Sequence, residues 1–208
     1  MEKSFLVDTR YLIAVSEFVN KEKNSYRSAV LGLVFLEVIK KESHYDIVYT
    51  ATDGHALLSL SHQSEDDFSE LTPDVNGVVL STYIRPVKQS MFEKSCFLTG
   101  LRVEEHVSYL ATKDGTFKTE RDKHDDTFPN YRNVLVDVEK RRAENVCRSF
   151  GIMAGLLNKF EAVGKAFKCF YSCELIPAAS PLESIAVILH TTHANELEHR
   201  ALIMPVRL

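Results

Sequence analysis

At 208 residues and 23.6 kDa, with 45% hydrophobic and 26% charged residues, the chain is long enough to bury one large or two small cores. A formal net charge of −4 excludes a protein coated in nucleic acid, because phosphate binding draws on clustered Lys and Arg, but permits one basic face against an acidic remainder. No apolar run approaches the ~18 residues of a membrane helix, Met1-Glu2-Lys3-Ser4 lacks a signal-peptide pattern, and the scattered Cys96, Cys147, Cys169 and Cys173 read as reduced thiols of a cytoplasmic protein.

The first predicted element is a short strand at Phe5-Leu6-Val7. Asp8 then caps a helix that runs to about Asn20 and places Tyr11, Val15, Phe18 and Val19 on one apolar face. Strands over 29–39 and 45–60 follow, rich in Val, Ile, Leu, Phe and Tyr and broken by Lys40-Lys41-Glu42-Ser43. Residues 64–76 are an acidic, Pro-containing loop. A second strand at Val78-Val79-Leu80 leads, through Ser81 or Thr82 as cap, into a helix to about Lys94, with Pro86 tolerated near its first turn. Strands over 95–103, 107–112 and 116–120 come next, with Asp114-Gly115 as a hairpin signal.

After the charged stretch 137–144, the grammar returns a third time. A strand over 146–150 precedes a helix from about Ile152 to Val163 that aligns Ile152, Leu156 and Phe160, with Gly164 suited to its end. Strands over 168–175, 184–190 and 200–207 complete it. The chain therefore reads as three strand–helix–sheet units of roughly 65 residues, a repeat of pattern rather than of identity.

Asp53-Gly54-His55 suggests a base with its orienting carboxylate, yet no nucleophile motif accompanies it. A tight turn explains the triplet better: Asp caps it and Gly supplies the backbone conformation. His190, His193 and His199 are close in sequence but straddle a strand end and a polar loop, so a solvated hairpin is favoured over a metal site. Cys169 and Cys173, on one strand, stand about 13 Å apart, too far to share an ion. The sequence thus implies no catalytic residue, metal or cofactor. Lys21, Lys23 and Arg27 bracket the turn after helix one, Arg85 and Lys88 share a face of helix two, and Lys159 and Lys165 decorate helix three. An ordinary solvated face explains these cations unless the helices line one surface and the acidic loops lie elsewhere.

Ala51-Thr52-Asp53-Gly54-His55-Ala56-Leu57, then Phe128-Pro129-Asn130-Tyr131-Arg132, then a tail Ile203-Met204-Pro205-Val206-Arg207-Leu208, occur in an order and at separations that resemble the bacterial DNA sliding clamp, the processivity subunit of the replicative polymerase. The resemblance implies an α+β protein of DNA-clamp fold, built of repeated strand–helix–sheet units. Residues 1–135 resemble the middle clamp domain, and residues 136–208 resemble the second half of the last one. Three half-units stand where a full-length protomer has six. It further implies sequence-independent contacts to double-stranded DNA from Lys21, Lys23, Asn24, Arg27, Arg85 and Lys88.

It also implies an apolar cleft that takes a short peptide motif of DNA polymerase, clamp loader or repair proteins. The matching positions are Val30, Thr52, Gly54, His55, Leu57, Pro129, Val134, Met204, Pro205, Val206, Arg207 and Leu208. Ala56 departs from the Arg usual in the family, and Gly151 and Ala154 stand where larger residues usually shape the cleft. A half-domain leaves an open sheet edge, so the expected assembly is a homo-oligomer. Pairing of C-terminal half-units would let four chains supply twelve half-units, as in a family ring.

Overall fold

The computed structural model describes residues 2–21, 29–95, 97–120, 127–135, 154–167, 171–176, 185–191 and 199–203. Strand β1 (Lys3–Asp8) leads into helix α1 (Thr9–Ser16), followed by β2 (Val34–Lys40), β3 (Tyr45–Thr52) and β4 (Ala56–Ser64). Next come β5 (Val78–Ile84), β6 (Leu98–Val103), β7 (Val107–Thr112) and β8 (Gly115–Glu120). A one-turn helix α2 (Tyr131–Val134) precedes α3 (Ala154–Phe167), β9 (Tyr171–Ile176), β10 (Ile185–Thr191) and β11 (His199–Ile203).

These strands make two antiparallel sheets, ordered β1-β6-β7-β8 and β5-β2-β3-β4-β11-β10-β9. The first strand of each of the first two units is exchanged: β1 joins the sheet of the second unit through β6, and β5 joins that of the first through β2. The third unit extends the first, because β11 pairs with β4 over Arg200↔Ser59 to Ile203↔Ala56. The larger sheet is covered on both faces at its centre. On one side Tyr11, Leu12, Val15 and Phe18 of α1 pack with Leu36, Ile47, Tyr49, Leu58 and Leu60. On the other lies a second cluster around Val30, Leu57 and Phe128. Two covered faces explain why 185–189 is apolar without alternation.

Asp8 caps α1 as expected, its carboxylate accepting from the Arg10 amide at 2.8 Å, an arrangement that stabilises a helix by about 1 kcal/mol. The helix is shorter than its periodicity predicts. The Ser16 hydroxyl donates back to the Leu12 carbonyl (2.6 Å) and accepts from the Val87 amide (3.0 Å). Bonds from Glu17 N to Ala14 O and from Phe18 N to Val15 O then tighten the chain into a turn. Phe18 and Val19 stay buried although they are outside the helix.

The helix predicted over 82–94 does not form. β5 runs on to Ile84, residues 85–88 are outside any helix or strand, and only a 3₁₀ turn appears at Gln89–Met91. Pro86 is the physical reason. It disfavours the helical region for Arg85 and cannot donate the amide a fifth helical residue would need. Tyr83 meanwhile gains a ring contact with Phe35 at 5.0 Å, and Val87 and Phe92 enter the core.

Helix α3 continues through Gly164 to Phe167, past its predicted end. Burial of Ala166 and Phe167, the latter edge-on to Tyr11 at 4.8 Å, outweighs the ~1 kcal/mol cost of an interior glycine. Strands start later than predicted at 34 and 98, because Ala29–Gly32 is a 3₁₀ turn and 97 precedes β6. The strand predicted over 146–150, with Cys96, Cys147, Cys169, Gly151 and His193, lies outside the described residues. The 64–76 loop is more than a spacer: Phe68 is wholly buried edge-on to Phe5 (5.3 Å), and Asp66 accepts the Leu6 amide at 2.9 Å, covering the outer edge of β1.

Candidate partner cleft and nucleic-acid face

The β3–β4 turn is built as a tight turn from Thr52, Asp53, Gly54 and His55. The Thr52 hydroxyl donates to the Ala56 carbonyl (2.8 Å) and accepts from the Gly54 amide (3.0 Å), while Asp53 Oδ1 accepts from the amides of His55 (2.8 Å) and Ala56 (2.9 Å). Gly54 sits at φ 85°, a left-handed conformation that a side chain would strain. The other carboxylate oxygen of Asp53 pairs with Lys159 of α3, tying the turn of the first unit to the helix of the third. Burial pushes the Asp53 carboxyl up, but the Lys159 ammonium and the two amides outweigh it and hold it below its ordinary value.

A carboxyl whose folded value is depressed stabilises the fold above its unfolded value of about 4 and loses that contribution as pH falls through the lower folded value. Docking of α3 should therefore weaken as pH falls from about 4 downwards. Asp53→Asn should flatten that dependence, read as hydrogen exchange of α3 against pH.

Beneath the turn lies the apolar floor. Val30 is wholly buried in its 3₁₀ turn and Leu57 nearly so on β4; they cluster with Tyr83, Phe128, Tyr131, Ile176, Ala186 and Ile188, with Leu33, Phe35 and Leu135 packed against them. Phe128 stacks on Phe35 at 4.9 Å and donates its amide to the Tyr83 hydroxyl at 3.0 Å. Buried Glu37 on β2 accepts from the Tyr131 hydroxyl (2.5 Å) and from Arg132 Nη2 (2.9 Å), so the linker is held by a polar as well as an apolar anchor. Burial, then the Glu37 charge, push the Tyr131 phenol well above its usual range and keep it a donor. Glu37, Phe35, Tyr83, Ile176 and Ile188 escaped the sequence reading. The one available signal was a lone acid inside the apolar run of β2.

The structure thus brings Val30, Leu57 and the turn Thr52–His55 beside the linker that carries exposed Pro129 and, in α2, Val134. Ile203, the last residue of β11, pairs with Ala56 at that same turn. Met204, Pro205, Val206, Arg207 and Leu208 lie outside the described residues. On the helix side, Glu17, Val19, Asn20, Lys21, Asp53, His55 and Lys159 line an open depression of about 300 Å³.

The cationic face differs from expectation. Arg85 and Lys88 do not share a helix face; both are exposed on residues 85–88, and among the described residues neither is ion-paired. Lys21 is exposed but paired with Glu17 at 2.6 Å, and Lys23, Asn24 and Arg27 lie outside the described residues. On the helices, Lys165 pairs with Glu161 (2.8 Å) and Lys159 with Asp53. Arg10 grips Asp8 (2.6 Å) beneath the rings of Phe97 and Phe167. Of these helix cations, Arg10 and Lys159 are consumed inside the molecule, whereas the Lys165–Glu161 pair is exposed.

Two antiparallel sheets with exchanged first strands, helices packed on the core side and a sheet continued from one unit into the next define the DNA-clamp fold. Solved structures similar to this one include bacterial clamps. Over 99% of the chain it matches the beta sliding clamp of C. crescentus (12% identity, TM-score 0.61) and the Pseudomonas aeruginosa DNA polymerase III subunit beta bound to griselimycin (15%, 0.61), covering 66% of each. The Thermotoga maritima beta subunit matches over the same share at 14% identity and TM-score 0.58, with 65% of it covered. The chain therefore spans a little less than two thirds of these clamps' length, and at such identity the likeness is one of fold. No protein-family model and no curated protein matches the sequence.

Proposed function

We propose that this chain is a compact sliding-clamp-like processivity factor, one clamp domain (1–135) plus a half-domain (136–208), that encircles duplex DNA in the cytoplasm and catalyses no reaction. It tethers polymerase, clamp loader or repair proteins by a short peptide motif. The carrying observation is the β4–β11 junction, which ends opposite Ala56 beside the Thr52–His55 turn and above the Val30–Leu57 floor. Val30 and Leu57 offer an aliphatic floor there, with His55 and Pro129 at its rim, and the family resemblance assigns Met204–Leu208 to the same groove. Pairing of two half-domains about a two-fold axis rebuilds a full domain, and four chains close the ring.

Contacts to DNA are loose and phosphate-directed, from Arg85, Lys88 and the Lys21–Arg27 stretch. The test is retention on closed circular against linear DNA. The wild type should stay on circles and run off cut DNA, and Arg85→Glu with Lys88→Glu should cut retention about tenfold or more at moderate salt. One observation favours a second reading, a non-encircling module that binds or sequesters clamp partners: the helix cations Arg10 and Lys159 are spent on the buried and half-buried carboxylates Asp8 and Asp53. That protein would ignore DNA topology and both reversals, yet lose partner binding when Met204–Leu208 is removed.

A further inference from the structure

A closed circuit of contacts runs through the seam between the first and third units, and His62 on β4 is its one member that changes charge near neutral pH. The His62 ring lies between Tyr11 of α1 (4.9 Å) and Tyr49 of β3 (5.6 Å). Tyr11 takes Phe167 of α3 edge-on at 4.8 Å, and Arg10, over the Phe167 ring at 5.5 Å, grips Asp8. The Asp8 amide closes the circuit by donating to the Tyr49 hydroxyl at 3.1 Å. α3 lies beside α1 while β11 continues the sheet from β4, so this ring sits where the third unit is seated on the first.

The Nδ1 of His62 is sealed from solvent and, among the described residues, has no hydrogen-bond partner. A neutral imidazole can leave its lone pair there. A protonated one must carry an N–H at both nitrogens, and this seat offers Nδ1 no acceptor. The tyrosine faces attract a cation, but a buried, unpartnered N–H and lost hydration cost more.

We infer that His62 is a proton switch for the third unit: the docked arrangement holds only the neutral imidazole, and protonation releases α3 from α1. Burial holds the imidazole below its ordinary value of 6.5. It outweighs Asp8 of β1 and Asp46 of β3, which favour the charged ring, and Arg10 of α1 acts with it. Asp46 is itself shared with Lys41 and His44. From α3 the circuit receives only uncharged Phe167, since Lys165 pairs with Glu161 at the surface.

When α3 leaves, Tyr11 loses Phe167 and water reaches the ring, so the open form titrates near 6.5 and the docked form lower. Above that ordinary value both forms are neutral and docking is at full strength. As pH falls from there to the docked value, the open form binds a proton that the docked form refuses. Docking then weakens by up to about tenfold per pH unit, and the loss stops once both forms are protonated. The Asp53 effect starts only near pH 4, well below this onset. The opening is a property of the fold alone. That it also disturbs the partner cleft, because β11 ends opposite Ala56, rests on the function proposed above.

Hydrogen exchange of Ala154–Phe167 in the full chain, corrected for the intrinsic pH dependence of exchange, tests the switch between about pH 7.5 and 5. It uses neither DNA nor peptide, so failure of the clamp reading leaves its result intact. Protection of α3 in the wild type should fall about tenfold across that range while β2 and β3 hold theirs. His62→Phe keeps a ring between the tyrosines and cannot bind a proton, and its α3 protection should not change with pH. His106→Gln, at an exposed position of the second sheet, should behave as the wild type. The wild-type His62 ring, followed by NMR, should titrate below 6.5, a reading that decides the matter even if His62→Phe does not fold. Wild-type α3 protection that ignores pH, a dependence that survives in His62→Phe, a ring that titrates at or above its ordinary value, or equal loss across β2 and β3 overturns the switch.

Discussion

Phe160→Ala should loosen the third unit from the first while leaving the first two units folded. Phe160 is buried on α3 and meets Phe18 edge-on at 5.3 Å, one turn from Leu156 and Val163, which face the same core. Truncating a buried phenylalanine costs about 3–5 kcal/mol, because transfer free energy is lost and the cavity relaxes only partly. Here the loss falls on one contact surface. α1 is held on its other side by Leu36, Ile47 and Tyr49, so its core survives, whereas the other described holds of α3, namely Leu156, Val163 and Ala166 in the core, Phe167 against Tyr11 and the Lys159–Asp53 pair, all share the loosened surface. The expected readout is faster amide exchange across Ala154–Phe167 and in β11, with β1 to β8 unchanged, and a lower urea midpoint. Leu157→Ala, at an exposed position of the same helix, controls for helix propensity and should shift the midpoint little. An unchanged midpoint in Phe160→Ala would mean that the β4–β11 ladder alone holds the third unit.

How much of this was legible in the sequence depended on whether the controlling contact was local. The Asp8 cap, the Asp53-Gly54 turn and the β7–β8 hairpin each depend on neighbours within a few residues; the first two formed as read, and the hairpin formed with its loop at Lys113-Asp114, one residue ahead of the expected Asp114-Gly115. Strand β7 matched its predicted bounds because turns flank it on both sides. The helix over 82–94 was misread because Val78-Val79-Leu80 followed by Ser81-Thr82 looks like a strand and a cap. The decisive terms were Pro86 and the pairing of β5 with β2, more than 40 residues earlier in the chain.

Helix faces were legible as apolar but not as partnered. Nothing in periodicity says that α3 will lie beside α1, so Lys159 counted as a free cation until Asp53, 106 residues away, was found to hold it. The family resemblance put Val30 and Leu57 together, and they share one buried cluster beneath the turn. Its polar anchor, Glu37, was not, since a carboxylate amid Val and Ile is explained only by the linker that returns to it.

That linker carries the second large effect. Phe128→Ala should lower the melting temperature by about 10 °C, from a loss of about 3–5 kcal/mol and the usual 2–4 °C per kcal/mol in a chain of this size. Phe128 touches three rings, Phe35 at 4.9 Å, Tyr83 at 6.5 Å and Tyr131 at 6.3 Å, and belongs to a cluster that reaches Ile176 and Ile188 in the third unit. Tyr131→Phe keeps the ring and removes one of two donors to buried Glu37. It should cost about 1–3 kcal/mol, the penalty of an under-satisfied buried carboxylate, with half-exposed Arg132 offsetting part of it. The two substitutions act on one anchored segment, so the double variant should lose less than the sum. Additive losses would show the aromatic and polar anchors working independently, leaving the linker two separate holds on the sheet. A non-additive result, with exchange rising together in β2, β9 and β10, would show that one cooperative anchor fixes the third unit where the proposed cleft needs it.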